Sequence, residues 1–192
     1  MRFSKALQVL LLTACYLPVW CTAGDAPLVF EKALAAVTRG EAVVLLRHAE
    51  APGTGDPAAF DLSRCNTQRN LSTEGRQQAR RIGEQLRSLG LANARVLTSP
   101  WCRCRDTAAL LGFDTPLHVV ALGSFYQGRT DESEQTAATL ALLARLQGAA
   151  ILVSHQVNIT ALTQGAVYPD AGEAIVVDRS QPARVLARLG LP

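Results

Sequence analysis

The 192-residue chain carries 19 Lys and Arg against 16 Asp and Glu, with 48% hydrophobic, 18% charged and only 5% aromatic residues. That balance excludes a disordered or coiled-coil chain and suits one domain with a core large enough to need no staples. The net charge of +3 does not argue for a nucleic-acid binder: without residues 1–23 the chain keeps 17 basic residues, nearly all arginine, against 16 acidic ones.

Arg2 and Lys5 open a segment that is almost wholly apolar from Ala6 to Trp20, and Cys21-Thr22-Ala23 places small residues before Gly24. This is the pattern of a cleaved signal peptide over residues 1–23, with residues 24–192 as the mature domain. The apolar run is short for a bilayer span and has no second copy, so no stable membrane span is expected after cleavage. A periplasmic or secreted location follows. In such an oxidising compartment Cys65 is expected to pair with Cys102 or Cys104, leaving one thiol free. Cys102 and Cys104 have no fourth ligand clustered with them, so no metal site is expected.

Leu28 to Thr38 reads as a helix stopped by Gly40, and Ala42 to Leu46 as a strand buried on both faces. Residues 51–70, with two prolines and two glycines, read as an irregular loop. Ser72 is an N-cap with Glu74 in the first turn of a helix that runs to Gly90. Arg95 to Thr98 is a second strand, and Ser99-Pro100 caps a helix from Pro100 to about Leu111. Leu117 to Leu122 reads as a third strand, Glu132 to Leu146 as a helix, and Ala149 to Val153 as another buried strand. A short helix after Asn158 and two closing strands, Ala174 to Val177 and Val185 to Leu189, complete the chain. The alternation predicts an α/β three-layer sandwich, a mainly parallel sheet with helices on both faces. Ligands bind such sheets beyond the carboxyl ends of the strands.

Three segments fall at those ends. Arg47-His48 follows the first strand, Ser99 to Arg103 the second, and Ser154-His155 a later one. Two arginines and two histidines at one sheet edge suit a phosphoryl group, because arginine offers charge-assisted, bidentate hydrogen bonds. A neutral imidazole can carry the phosphoryl group as a covalent intermediate, and neighbouring arginines keep it unprotonated. His118, inside a strand, is structural.

Arg47-His48-Ala49-Glu50 resembles the Arg-His-Gly signature of the histidine phosphatase superfamily, the phosphoglycerate-mutase-like fold. Thr98-Ser99-Pro100 with Arg103 and Thr107-Ala108 is similar to its second motif, Asn70-Leu71-Ser72 with Glu74-Gly75 and Gln78-Ala79 to the segment between, and Val153-Ser154-His155 to its second histidine. The resemblance spans residues 42 to about 164 and implies His48 as nucleophile, with Arg47, Arg103 and His155 as the phosphate pocket and no metal or other cofactor. Ala49 replaces the usual glycine. Where many members place a glutamate acid, this chain has Gly123-Ser124-Phe125, and where another branch has an aspartate it has Gln156. Asn158 stands where that branch has an asparagine and is carried over as phosphate-binding. Asp131, Glu132 and Glu134, and less so Glu50, are the candidate proton donors, with Glu132 and Glu134 foremost. A missing acid would suit leaving groups that depart easily, such as the amine of a phosphoramidate. The expected function is an exported phosphatase working on a small phosphorylated substrate, such as a sugar phosphate of the cell envelope, through a phosphohistidine on His48. A weak phosphate- or polyanion-binding protein on the same fold is the alternative. Export argues against cytoplasmic phosphohistidine relays and glycolytic mutase activity.

Overall fold

A computed structural model describes residues 25–189. The segment read as a signal peptide, residues 1–23, lies outside the described residues.

The elements follow in order α1 (Asp25–Thr38), β1 (Ala42–Arg47), α2 (Thr73–Leu86), β2 (Arg95–Thr98), α3 (Cys102–Leu110), β3 (Leu117–His118), α4 (Glu132–Arg145), β4 (Ala150–Ser154), α5 (Gln156–Leu162), β5 (Ala174–Asp178) and β6 (Val185–Leu189). The sheet has the order β3-β2-β4-β1-β5-β6. Pairs β1–β4, β2–β4 and β2–β3 are parallel, whereas β5 runs antiparallel to both of its neighbours.

Strand alternation divides the core in two. Val44, Leu46, Val96, Ile151 and Val153 face one layer, where Ala33, Leu34 and Val37 of α1, Ile82 and Leu86 of α2 and Ala108 of α3 cover them. Val43, Leu45, Leu97 and Leu152 face the other, under Leu143 of α4 and Ile159 and Leu162 of α5. Burial on both faces explains why β1 and β4 read as continuous apolar runs. The result is the expected three-layer sandwich.

Ser72 caps α2 by accepting a hydrogen bond from the Gly75 amide at 2.9 Å. Two glycines in α2 are imposed by close approach. A Cβ on Gly75 would run into the Glu50 carbonyl oxygen, and one on Gly83 into that of Leu111 at the end of α3. Alanine in a helix ordinarily gains about 1 kcal/mol over glycine. At Gly83 the clash reverses the sign, and Gly83→Ala is expected to cost roughly 1–3 kcal/mol as overpacking does, measured by urea unfolding.

Two elements differ from their sequence pattern. The third strand is only two residues long and then turns into a single 3-10 turn, Val120–Leu122. Distant groups take its carbonyls: Gln135 Nε2 donates to Val120 O, Thr139 Oγ1 to Ala121 O and Ser154 Oγ to Leu122 O. The helix expected from Pro100 begins at Cys102, with Trp101 rather than Ser99 at its N-cap position. Ser99 Oγ is held instead by His155, at 2.9 Å from Nε2.

Candidate active site

The parallel register brings three strand ends together. Arg47 is paired with Ser154 and Thr98 with Val153, and two bonds continue the ladders one step further: the His48 amide donates to Ser154 O at 3.0 Å and the Ser99 amide to Val153 O at 2.9 Å. His48, Ser99 and His155 are thereby fixed by backbone at one edge. Arg103 reaches the same point from the first turn of α3. His48, Arg103 and His155 are each 3% exposed or less.

The contacts assign the tautomers, because a carbonyl only accepts and a guanidinium only donates. His48 Nδ1 lies 2.8 Å from Ala49 O and so carries the proton. Its Nε2 keeps the lone pair, which accepts from Arg103 Nε at 3.2 Å. In His155, Nδ1 accepts from Arg103 Nη2 at 3.3 Å, so Nε2 holds the proton and donates it to Ser99 Oγ. The Ala49 amide donates to Thr107 Oγ1, whose hydroxyl donates to Arg103 O, tying the strand end to α3.

Burial, and after it the Arg103 charge, hold both imidazoles well below the usual histidine value, and the Arg69 and Arg47 charges push the same way. Both rings are therefore neutral at pH 7. The unfolded chain takes up protons at these two positions near pH 6.5, while the folded one does not until far lower. Stability is thus expected to fall as pH drops below about 6.5, by up to about 1.4 kcal/mol per pH unit for each histidine. Thermal unfolding between pH 7 and 5 checks this, with a shallower dependence in His155→Gln.

Beside these groups lies a cavity of about 150 Å³ lined by Arg47, His48, Arg69, Arg103, Ser124, Tyr126 and His155 among others. Arg47 spends one Nη1 bond on Pro169 O at 2.8 Å, while its buried Nε has no partner. Burial lowers Arg47 and Arg69 below the ordinary arginine value, and the Arg103 charge adds to it. Crowded guanidinium groups with an unused N–H suit a multiply charged oxyanion.

Two residues escaped the sequence reading. Asp56, in the long loop, is the carboxylate paired with Arg103, at 2.8 Å from Nη1 with both side chains 4% exposed. It also accepts from Trp101 Nε1 and from the Arg69 amide, both at 3.1 Å. Burial pushes the Asp56 carboxyl up, but the Arg69 amide and the Arg103 charge outweigh it and hold it low. It is an ionised brace, not a proton donor. Arg69 stands directly before Asn70-Leu71-Ser72, and that adjacency was the available signal. Arg69 bonds Gly55 O through Nε and Ala51 O through Nη1, shaping the loop around the cavity.

The loop is also fastened covalently: of the two pairings open to Cys65, Cys65–Cys102 forms and Cys104 stays free and buried. Cys104 Sγ lies 3.5 Å from His155 Nε2.

Other expected site residues are placed elsewhere. Asn158 does not line the cavity; it is buried and its Nδ2 donates to Gly123 O at 2.7 Å, so it holds the neighbouring turn. Glu132 and Glu134 stand exposed at the start of α4, capped by Asp131, and neither lines the cavity. Glu50 is engaged by Ser72 Oγ. His118 is exposed in the edge strand.

The family described as the histidine phosphatase superfamily (branch 1) matches residues 43–125. No curated protein matches the chain by sequence. Among solved structures, the protein histidine phosphatase SixA complexed with tungstate is similar at 22% identity and TM-score 0.51, over 73% of this chain and 90% of that one. The Thermus thermophilus protein TTHB049 is similar at 22% identity and TM-score 0.58, over 78% and 99%. Phosphoserine phosphatase of Entamoeba histolytica in complex with 3-phosphoglyceric acid is similar at 13% identity and TM-score 0.54, over 70% and 89%. These likenesses show the fold.

Proposed function

We propose that this chain is an exported phosphatase that hydrolyses phosphate monoesters or phosphoramidates through a phosphohistidine on His48. Phosphatase activity is supported in general terms by the superfamily match. The observation that carries the finer reading is the His48 ring, buried and neutral, with Nδ1–H committed to Ala49 O and the Nε2 lone pair turned to Arg103. Attack by Nε2 on phosphorus forms the N–P bond as the bond to the leaving group breaks. Arg47 and Arg103 hold the remaining oxygens, and their fixed charges favour the transition-state charge, while His155, with Nε2–H given to Ser99 Oγ and Nδ1 accepting from Arg103, keeps Arg103 in place. Water then attacks the phosphohistidine and releases phosphate. A neighbouring protein of this fold was obtained with tungstate, an oxyanion of the same shape as phosphate.

The carboxylate nearest to the arginines, Asp56, is ion-paired and has no proton to give. Phosphoramidates, whose nitrogen is protonated before the bond breaks, fit that arrangement without an enzyme acid. Esters with good leaving groups fit next. The signal-like sequence of residues 1–23 supports a reaction outside the cytoplasm, in a periplasm or beyond it. A small phosphorylated molecule, such as an envelope sugar phosphate, is the substrate class this location favours.

The test is phosphate release by the purified mature chain from sugar phosphates, aryl phosphates and phosphoramidates, beside Arg103→Ala. Removal of a buried guanidinium that lines the cavity is expected to lower kcat/KM by roughly 100-fold or more. Wild-type turnover no greater than that of a variant without His48, with phosphate still bound, would leave a phosphate-binding protein on this fold.

A further inference from the structure

Next to the catalytic cavity is a larger groove of about 450 Å³, within the range of small-molecule sites. The two spaces share a wall made by Gln156 and Val157, which directly follow His155. On the other side the chain also divides between them: Tyr126 lines the cavity, and Phe125 before it lines the groove. A molecule with its phosphorus at His48 therefore has a continuous path over Gln156 and Val157.

The chemistry of the two spaces is opposite. Arg47, Arg69 and Arg103 all line the cavity. The groove has Phe125, Val157 and the exposed Tyr168 with neutral Gln156 and Gln164, and its charged residue is Glu132. Glu132 is well anchored, as the first residue of α4, whose Asp131 cap and Gln135 and Thr139 bonds to Val120 and Ala121 fix the start of the helix.

We infer that this groove receives the leaving group of the substrate, selecting an organic part with an apolar body and neutral or positively charged substituents and rejecting a second anion through Glu132. The inference rests on the phosphatase reading and adds a substrate class to it: amino- or hydroxyl-substituted phosphomonoesters over bisphosphates and phosphocarboxylates. Glu132, a candidate proton donor by sequence, becomes a specificity determinant by position. The attraction or repulsion of one partly solvated charge pair is worth roughly fivefold to tenfold in kcat/KM at low salt.

The experiment compares three phenyl phosphates with para aminomethyl, hydroxymethyl and carboxymethyl groups, each rate expressed relative to phosphoramidate, whose ammonia leaving group is too small to reach the groove. The wild type is expected to favour the aminomethyl over the carboxymethyl ester by roughly 25-fold to 100-fold, one attraction and one repulsion combined, less at high salt. Glu132→Lys is expected to invert that order, and Tyr168→Ala to raise KM for all three esters. Turnover with an order of preference that Glu132→Lys leaves untouched overturns the inference and spares the phosphatase reading. A proportional loss of kcat on every ester would make Glu132 a proton donor and likewise overturn it. No turnover of any substrate, phosphoramidate included, overturns both.

Discussion

Replacing His48 by alanine is expected to lower turnover by on the order of 10⁴-fold or more, the scale on which removing a nucleophile acts, while leaving phosphate binding in place. The loss is large because, among the described residues lining the cavity, the second imidazole is not free to take over. His155 is the other imidazole there, but its Nδ1 lone pair is held by Arg103 and its Nε2 proton by Ser99. Arg47 and Arg103 survive the substitution, so the variant should still bind inorganic phosphate. The wild type, mixed with labelled substrate and quenched in alkali, is expected to yield protein-bound phosphate that is stable to base and lost in acid. That is the signature of a phosphorus–nitrogen bond, and the variant should show none. A variant within tenfold of wild type, or one that still captures acid-labile label, sinks the assignment of His48.

Breaking the Cys65–Cys102 bond is expected to have the largest effect on stability. It closes a loop with a sequence separation of 37, for which loop-closure entropy gives roughly 4 kcal/mol. In a chain of this size that is about 8–16 °C in Tm. The double replacement Cys65→Ala with Cys102→Ala, or the wild type under reductant, should show the shift by calorimetry. Activity should fall as well, because the bond pins the long loop to the turn before Arg103. The loop supplies Asp56 to Arg103 and Trp101, and Gln68 Oε1 accepts from the Cys102 amide at 2.9 Å. Cys104, two residues away, is a poor rival for exchange: burial pushes its thiol up to about 12, so almost no thiolate is present at neutral pH. An unchanged Tm under conditions in which intact mass shows full reduction would count against the bond.

The sandwich was legible in the sequence where burial on both faces left unbroken apolar runs, as at β1 and β4, and where short polar segments followed each run. Convergence of His48, Arg103 and His155 follows from parallel register, so their order along the chain carried most of the site. Asp56 had no such pattern. It sits in an irregular loop beyond His48, and only the tertiary fold brings it to Arg103. Ser99 looked like a helix cap because Ser-Pro usually is one, but His155 claims its hydroxyl. Asn158 looked like a phosphate ligand by analogy, yet Gly123 O takes its amide. The third strand is shorter than its apolar pattern because its carbonyls are taken by side chains from α4 and β4, contacts that no local propensity encodes.

The bond from Arg103 Nε to His48 Nε2 means that the ring's one lone pair is masked at rest. A lone pair occupied by a guanidinium N–H is withheld from stray metal ions and from electrophiles that scavenge free imidazoles. An incoming oxyanion competes for that same N–H, so under the proposed mechanism the molecule that draws Arg103 away is also the one that His48 attacks. On the proposed mechanism the site is armed by its own substrate.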